Sequence, residues 1–234
     1  MSLAENLALV RARIKAAAER AGRDPTSVKL VAVSKTKPAQ AVLEILEAGQ
    51  TLFGENYVQE AKGKISEVGR DRAKWHFIGH LQSNKAKIAA ELFDMIETID
   101  SVKLGQAIDA AVRAAGRVMD VLIEVNIAGE LSKSGVDPTS LPDLIRTLAK
   151  LPGLKIRGLM TMPPFLPPEQ TRPYFRALRE LRDRLKGEDL GVDLDELSMG
   201  MSSDMEAAIE EGATIVRVGT AIFGPRGSTL LTAP

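Results

Sequence analysis

The sharpest chemical signal in the chain is Lys35. It follows the apolar run Leu30-Val31-Ala32-Val33 with only Ser34 between, whereas most lysines lie in solvated stretches. Burial at a strand end disfavours the ammonium form and leaves a neutral amine able to attack a carbonyl. A second group lies near the other end of the chain. Gly200 lets the backbone approach a ligand closely, and Ser202 or Ser203 opens a helix whose free N–H groups attract an anion. Gly219-Thr220 repeats this small-plus-hydroxyl chemistry two residues after Arg217. A plainer explanation competes for the first of these loops. Ser203 to Glu206 fits S-x-x-E, a capping box that needs no ligand, and Asp204 in the first turn satisfies the helix dipole unaided.

Other signals point away from several chemistries. His76 and His80 are the two histidines, and they flank a strand end rather than share a helix face, so a zinc site is not expected. His80 is a candidate ligand contact and His76 a packed strand residue. With no cysteine there is no disulfide framework or thiol chemistry, and a metal would have to rely on carboxylates. Neither G-x-G-x-x-G nor a Walker A pattern occurs, which argues against a Rossmann dehydrogenase or a P-loop enzyme. Lys85 and Lys87 read as a solvated helix face.

The elements that must carry these residues alternate. A helix over 2–21 places Leu3, Leu7, Val10, Ile14 and Ala17 on one face, and Gly22 stops it. Strands are expected at 30–33, 51–53, 75–78, 94–99, 118–126, 154–161, 194–198 and 214–218. Helices fall between them at 40–48, 57–68, from about 83, 102–115, 141–150, 169–186 and 204–211. Strands separated by helices argue for parallel β-α-β units, and eight of them for a closed (β/α)8 barrel with an additional N-terminal helix. A doubly wound open sheet is the alternative. Continuous runs such as Val121-Leu122-Ile123 suit strands buried on both faces. One domain is expected over 1–234, with 1–22 packing on the barrel. The proline-rich segment Met162 to Pro168, after the sixth strand, is either a connector or a lid over the strand ends.

Composition limits the partners. Lys and Arg total 31 against 31 Asp and Glu over 234 residues, so no global field draws in nucleic acid or anionic lipid. Aromatic residues are 4%, too few for a stacking platform on single strands. With 44% hydrophobic and 26% charged residues, the chain reads as an ordinary globular protein. The amino terminus lacks a secretory apolar core, and no apolar run is long enough to span a bilayer, so a cytoplasmic location is expected.

A parallel barrel carries its site at the carboxyl ends of its strands. The first and eighth strands become neighbours on closure, which brings Lys35 and Arg217 together beside the two small-residue loops. An amine, an anion cradle and a fixed cation in one pocket suit pyridoxal 5′-phosphate (PLP): a Schiff base on the lysine, the phosphate on the loops, the arginine facing the ring nitrogen. Arginine keeps its proton and so donates to an unprotonated pyridine nitrogen. That makes the ring a weak electron sink, suited to racemisation or mere binding better than to transamination.

At these residues the chain resembles the pyridoxal phosphate homeostasis protein family. The resemblance runs from Val31 to Gly224 and rests on seven stretches in order. They are Ala32-Val33-Ser34-Lys35-Thr36, Phe53 to Glu60 (FGENYVQE), Trp75 to Lys85 (WHFIGHLQSNK), Glu124-Val125-Asn126-Ile127, Gly158-Leu159-Met160-Thr161, Leu197 to Ser202 (LSMGMS) and Val216 to Gly224 (VRVGTAIFG). The resemblance implies an alanine-racemase-type (fold type III) barrel without the racemases' second, β-rich domain. It implies that Lys35 carries PLP, that Met201, Ser202, Gly219 and Thr220 surround the phosphate, and that Arg217 meets the ring nitrogen. Asn56, His80, Met160 and Ser198 should line the pocket, with Gly200 beside them. It also implies a monomeric or weakly associating carrier or regulator in vitamin B6 and amino-acid homeostasis, with no established reaction and with PLP-dependent apo-enzymes as transient partners.

Two other functions stay open at this level. An amino-acid racemase would use Lys35 as one base but needs a second on the opposite face of the cofactor. Tyr57, just past a strand end, and Tyr174 are the only tyrosines; Tyr57 stays a candidate, and no second domain is expected to supply another base. A sugar-phosphate isomerase would keep the anion site but lacks an evident carboxylate base.

Overall fold

The computed structural model describes residues 1–130 and 134–225. Eight parallel strands pair in sequence order and close on themselves. They are β1 (Lys29–Val33), β2 (Leu52–Glu55), β3 (Lys74–Phe77), β4 (Met95–Ile99), β5 (Met119–Glu124), β6 (Leu154–Met160), β7 (Glu196–Ser198) and β8 (Ile215–Val218). Closure is made by β1 on β8, in register from Lys29↔Ile215 to Ala32↔Val218. That pairing excludes the doubly wound open sheet and makes Lys35 and Arg217 products of adjacent strands.

The helices are α1 (Leu3–Arg20), α2 (Ala39–Glu47), α3 (Val58–Val68), α4 (Ala86–Leu92), α5 (Val102–Ala114), α6 (Leu141–Leu148), α7 (Pro168–Lys186), α8 (Met205–Glu210) and α9 (Thr220–Phe223). A complete capping box opens α1. The Ser2 hydroxyl accepts from the Glu5 amide, and the Glu5 carboxylate accepts from the Ser2 amide. Leu7, Val10, Ile14, Ala17 and Ala18 make its buried face, and Asn6 donates to the Ile222 carbonyl, tying it to α9.

Side chains of period two divide the core into two layers. Outward residues such as Ala32, Phe53, Trp75, Phe77, Ile123 and Val216 pack beneath the helices. The rings of Phe53 and Trp75 sit 5.4 Å apart. Inside the barrel a smaller cluster holds Val31, Val33, Ile78, Met95, Leu122, Met160 and Ile215. This inner core is apolar only in part: Glu97, Glu124 and Arg217 are buried on the same strands.

Element ends shift by one to three residues from those the sequence suggests; α4 starts at Ala86 rather than about 83, and β7 at Glu196 rather than Leu194. Leu194 is buried in the outer layer, so its apolar character reflects packing under the helices rather than membership of the strand. α9 was not expected, because four residues carry no readable periodicity.

Candidate functional site

Lys35 lies two residues beyond β1, in phase with the inward Val31 and Val33. It lines a cavity of about 550 Å3 at the carboxyl end of the barrel. Asn56, Arg217, Met201, Ser202, Gly219 and Thr220 form other parts of the same wall. Met162 and Phe165 complete it, so the proline-rich segment borders the cavity. Phe165 is nevertheless 84% exposed, which leaves it at the rim.

The turn carrying Lys35 is clamped from both sides. The buried ammonium of Lys64, on α3, donates to the Ser34 carbonyl at 2.6 Å, to Glu55 Oε1 at 2.6 Å and to Glu60 Oε1 at 2.8 Å. The Ser34 hydroxyl donates to the same Glu55 oxygen at 2.6 Å. On the far side of Lys35, Glu60 accepts from the Thr36 amide at 2.6 Å. Thr36 adopts φ 64°, a left-handed conformation unusual for a β-branched residue, and the clamp is what maintains it. Burial pushes the Glu55 carboxyl up, opposed by Lys64 and the hydrogen bonds it receives.

Arg217, on β8, is sealed within the barrel at 3% exposure. Its Nη1 donates to Ser198 Oγ at 2.6 Å and its Nη2 to the Thr161 carbonyl at 2.9 Å. Ser198 in turn donates to Glu97 Oε2 at 2.5 Å, and Glu97 Oε1 meets His76 Nδ1 at 2.6 Å. Burial alone would raise the Glu97 carboxyl, but the hydrogen bond and charge of His76, with help from Arg217 and Ser198, bring it below the usual range. Glu124, at the end of β5, shows the reverse. Burial and the neighbouring Asp100 charge push it up to about 7, against the pull of Arg217.

The two small-residue loops are tied together, since the Ala221 amide donates to Ser202 Oγ at 3.2 Å. Arg13 on α1 holds the first loop from outside, donating to the Ser202 carbonyl at 3.1 Å and to Glu206. Gly200 sits at φ 92°, and a Cβ there would meet Ala208 Cβ at 2.5 Å, so a glycine is required. The capping box expected from Ser203 to Glu206 does not form. Asp204 occupies the N-cap position and its Oδ1 accepts from the Met201 amide at 2.6 Å, while Glu206 pairs with Arg13. Burial raises the Asp204 carboxyl, against the Met201 amide hydrogen bond and the charge of Arg217.

The other residues singled out from sequence lie around this cavity rather than in its wall. Met160 is fully buried in the inner core, and Ser198 and Gly200 are buried as well. His80 is exposed, with Nδ1 3.3 Å from Ser134 Oγ. His76 is packed in β3, but it holds Glu97 rather than filling space. Sequence reasoning assigned no role to Glu97, Glu55, Glu60 or Lys64. Glu97 carried a legible signal, a carboxylate inside the otherwise apolar and hydroxyl strand Met95-Ile96-Glu97-Thr98-Ile99.

Residues 6–227 match the family model for the alanine racemase N-terminal domain. A pyridoxal phosphate homeostasis protein of Pseudomonas aeruginosa is 49% identical over 225 residues, covering 96% of each chain. The chain belongs to the pyridoxal phosphate homeostasis protein family. Among solved structures, PipY of Synechococcus elongatus PCC7942 with PLP bound is 40% identical, at TM-score 0.84 over 95% of this chain and all of that one. An alanine racemase of Clostridium difficile 630 is 16% identical at TM-score 0.72, covering 97% of this chain and 61% of the racemase, a likeness of fold alone. The family's barrel is thus the racemase barrel, and no β-rich domain is present among the described residues.

Proposed function

We propose that this protein binds pyridoxal 5′-phosphate at the barrel mouth, held by Lys35, and acts as a carrier or regulator of the cofactor rather than as an enzyme. The observation that carries this reading is the convergence of Lys35, Arg217 and the two tied loops on one cavity. The donor set fits the cofactor's three functional groups. Lys35 offers the amine for its aldehyde, and Met201, Ser202, Gly219 and Thr220 offer hydroxyl and amide contacts for its phosphate. Arg217 offers a permanent donor for its ring nitrogen. Asn56 Oδ1 supports the fit, being buried in the cavity wall without a hydrogen-bond partner. The Pseudomonas relative bears the name of a PLP homeostasis protein, and PipY holds PLP.

When bound, PLP supplies an electrophilic carbon and an electron-withdrawing ring. The residues here favour holding it over exploiting it. Arg217 keeps its proton and so does not protonate the ring nitrogen, which limits the ring as an electron sink. A two-base racemase needs a second acid or base facing Lys35. Neither Tyr57, which is exposed, nor Tyr174 on α7 is part of the cavity wall. We further read the protein as a cytoplasmic monomer that meets apo-enzymes transiently. No described helix is long and apolar enough to cross a membrane.

Titration of the purified protein with PLP tests the binding, followed by borohydride reduction and peptide mapping. The expected result is a visible absorbance band and cofactor fixed on Lys35, both lost in Lys35→Ala. Equal binding by Lys35→Ala and no band in the wild type would overturn the reading. Stereospecific loss of chirality from an amino acid, abolished in Lys35→Ala, would favour the racemase. Carriage itself predicts transfer to a PLP-dependent apo-enzyme faster than free release.

A further inference from the structure

The bonds of Arg217 go to a hydroxyl and a carbonyl, so its counter-charge is one residue removed. A buried guanidinium needs such a charge nearby. Ser198 has a single hydroxyl proton. It gives that proton to Glu97 and must therefore accept from Arg217. The charge on Glu97 thus fixes the hydroxyl, and the hydroxyl fixes one arm of the guanidinium. Glu124 and Asp204 also face Arg217 electrostatically, but no hydrogen bond joins either side chain to it.

Behind Glu97 stands His76, which lines a second cavity of about 720 Å3 at the opposite, amino-terminal mouth of the barrel. Lys74, Asp94, Arg117, Asp120 and Lys155 surround it there. Four side chains from β3, β4, β7 and β8 therefore form one hydrogen-bonded column through the barrel axis. Such a column is unusual in a layer that barrels generally fill with branched apolar residues. None of its buried side-chain atoms lacks a hydrogen-bond partner, the condition under which a buried polar network specifies one geometry.

We propose that Glu97 is the positioning residue of Arg217, acting through Ser198 and anchored by His76, so that the cation facing the cofactor ring is set from the far side of the barrel. The inference rests on the reading that the cavity takes PLP. It predicts that Glu97 and Ser198 act as one unit. A charge-assisted hydrogen bond transmitted in this way should change cofactor affinity by about ten-fold or more.

The test compares Glu97→Gln, Ser198→Ala and the double variant, reading the PLP dissociation constant, the absorbance maximum of the bound cofactor and, without cofactor, the NMR exchange of the Arg217 guanidinium protons. The expected result is that each single change weakens binding about ten-fold, shifts the band and speeds exchange, while the double is no worse than the worse single. Unchanged values for Glu97→Gln, or single effects that multiply in the double, would overturn the proposal. Should Glu97→Gln not fold, His76→Leu and His76→Gln carry the test. The glutamine amide can still donate to Glu97, so His76→Gln should restore the band that His76→Leu shifts, and equal behaviour of the two would overturn the proposal. A wild type that takes up no PLP would sink the cofactor reading instead, while guanidinium exchange still reports on the column.

Discussion

Lys64 Nζ lies 2.6 Å from the carbonyl oxygen of Ser34, the residue before the lysine that faces the cavity. A cation on a helix thereby fixes the exit of a strand. Replacing Lys64 by Met leaves the buried Glu55 without its cation and frees the turn at Thr36. Removing one partner from a buried pair costs about 3 kcal/mol or more. Urea unfolding of Lys64→Met should show that loss, and the double variant Lys64→Met/Glu55→Gln should recover part of it. PLP affinity should fall in the single variant even where the protein stays folded, because Lys35 loses its fixed approach.

Glu124 makes stability depend on pH near neutrality. Its carboxyl is raised to about 7 in the folded protein, above an unfolded value near 4.5. Between these values the folded state binds more protons than the unfolded one, so stability falls as pH rises and is flat beyond the upper value. The loss is on the order of 3 kcal/mol for a shift of this size. Thermal melts of the cofactor-free protein at pH 4.5 to 8 should show Glu124→Gln gaining on the wild type across that window. Parallel curves would contradict the assignment.

Gly79 backs onto the cavity through Asn56. A Cβ at position 79 would lie 2.3 Å from the Asn56 carbonyl oxygen, a backbone atom with no freedom to yield. Gly79→Ala should therefore cost about 1–3 kcal/mol in chemical denaturation, as overpacked sites do. It should also move Asn56, so weaker PLP binding is expected with Lys35 attachment retained.

Phe165 distinguishes a lid from a connector in the proline-rich segment. At 84% exposure it contributes little to the core, so Phe165→Ala should leave the melting temperature nearly unchanged. It borders the cavity, so PLP release measured by stopped-flow trapping should become faster. An unchanged release rate would make the segment a connector only.

Much of this architecture was legible in the chain, and for a local reason. Alternation of β-branched runs with amphipathic helices is written at short range, and it gave eight strands with Lys35 and Arg217 at their ends. The two small-residue loops were legible too, because glycine and serine at a strand end have few other uses. The capping box that Ser203 and Glu206 offer as the alternative to an anion loop does not form, and only the fold shows why. Glu206 is taken by Arg13, and Asp204 holds the N-cap position with its carboxylate turned back to the Met201 amide.

The sequence by itself determined the repeating units, the amine and the arginine, since these follow from residue type and periodicity. Tertiary structure alone decided which buried polar groups serve them. Glu97 and Ser198 are 101 residues apart, and Glu55 and Lys64 belong to different elements, so no local pattern announces either pair. Glu97 and Ser198 become partners because barrel closure points alternate side chains to one axis, and Glu55 meets Lys64 because α3 packs over the end of β2. In both places an unpaired charge is costly and a hydrogen-bonded one is held in place.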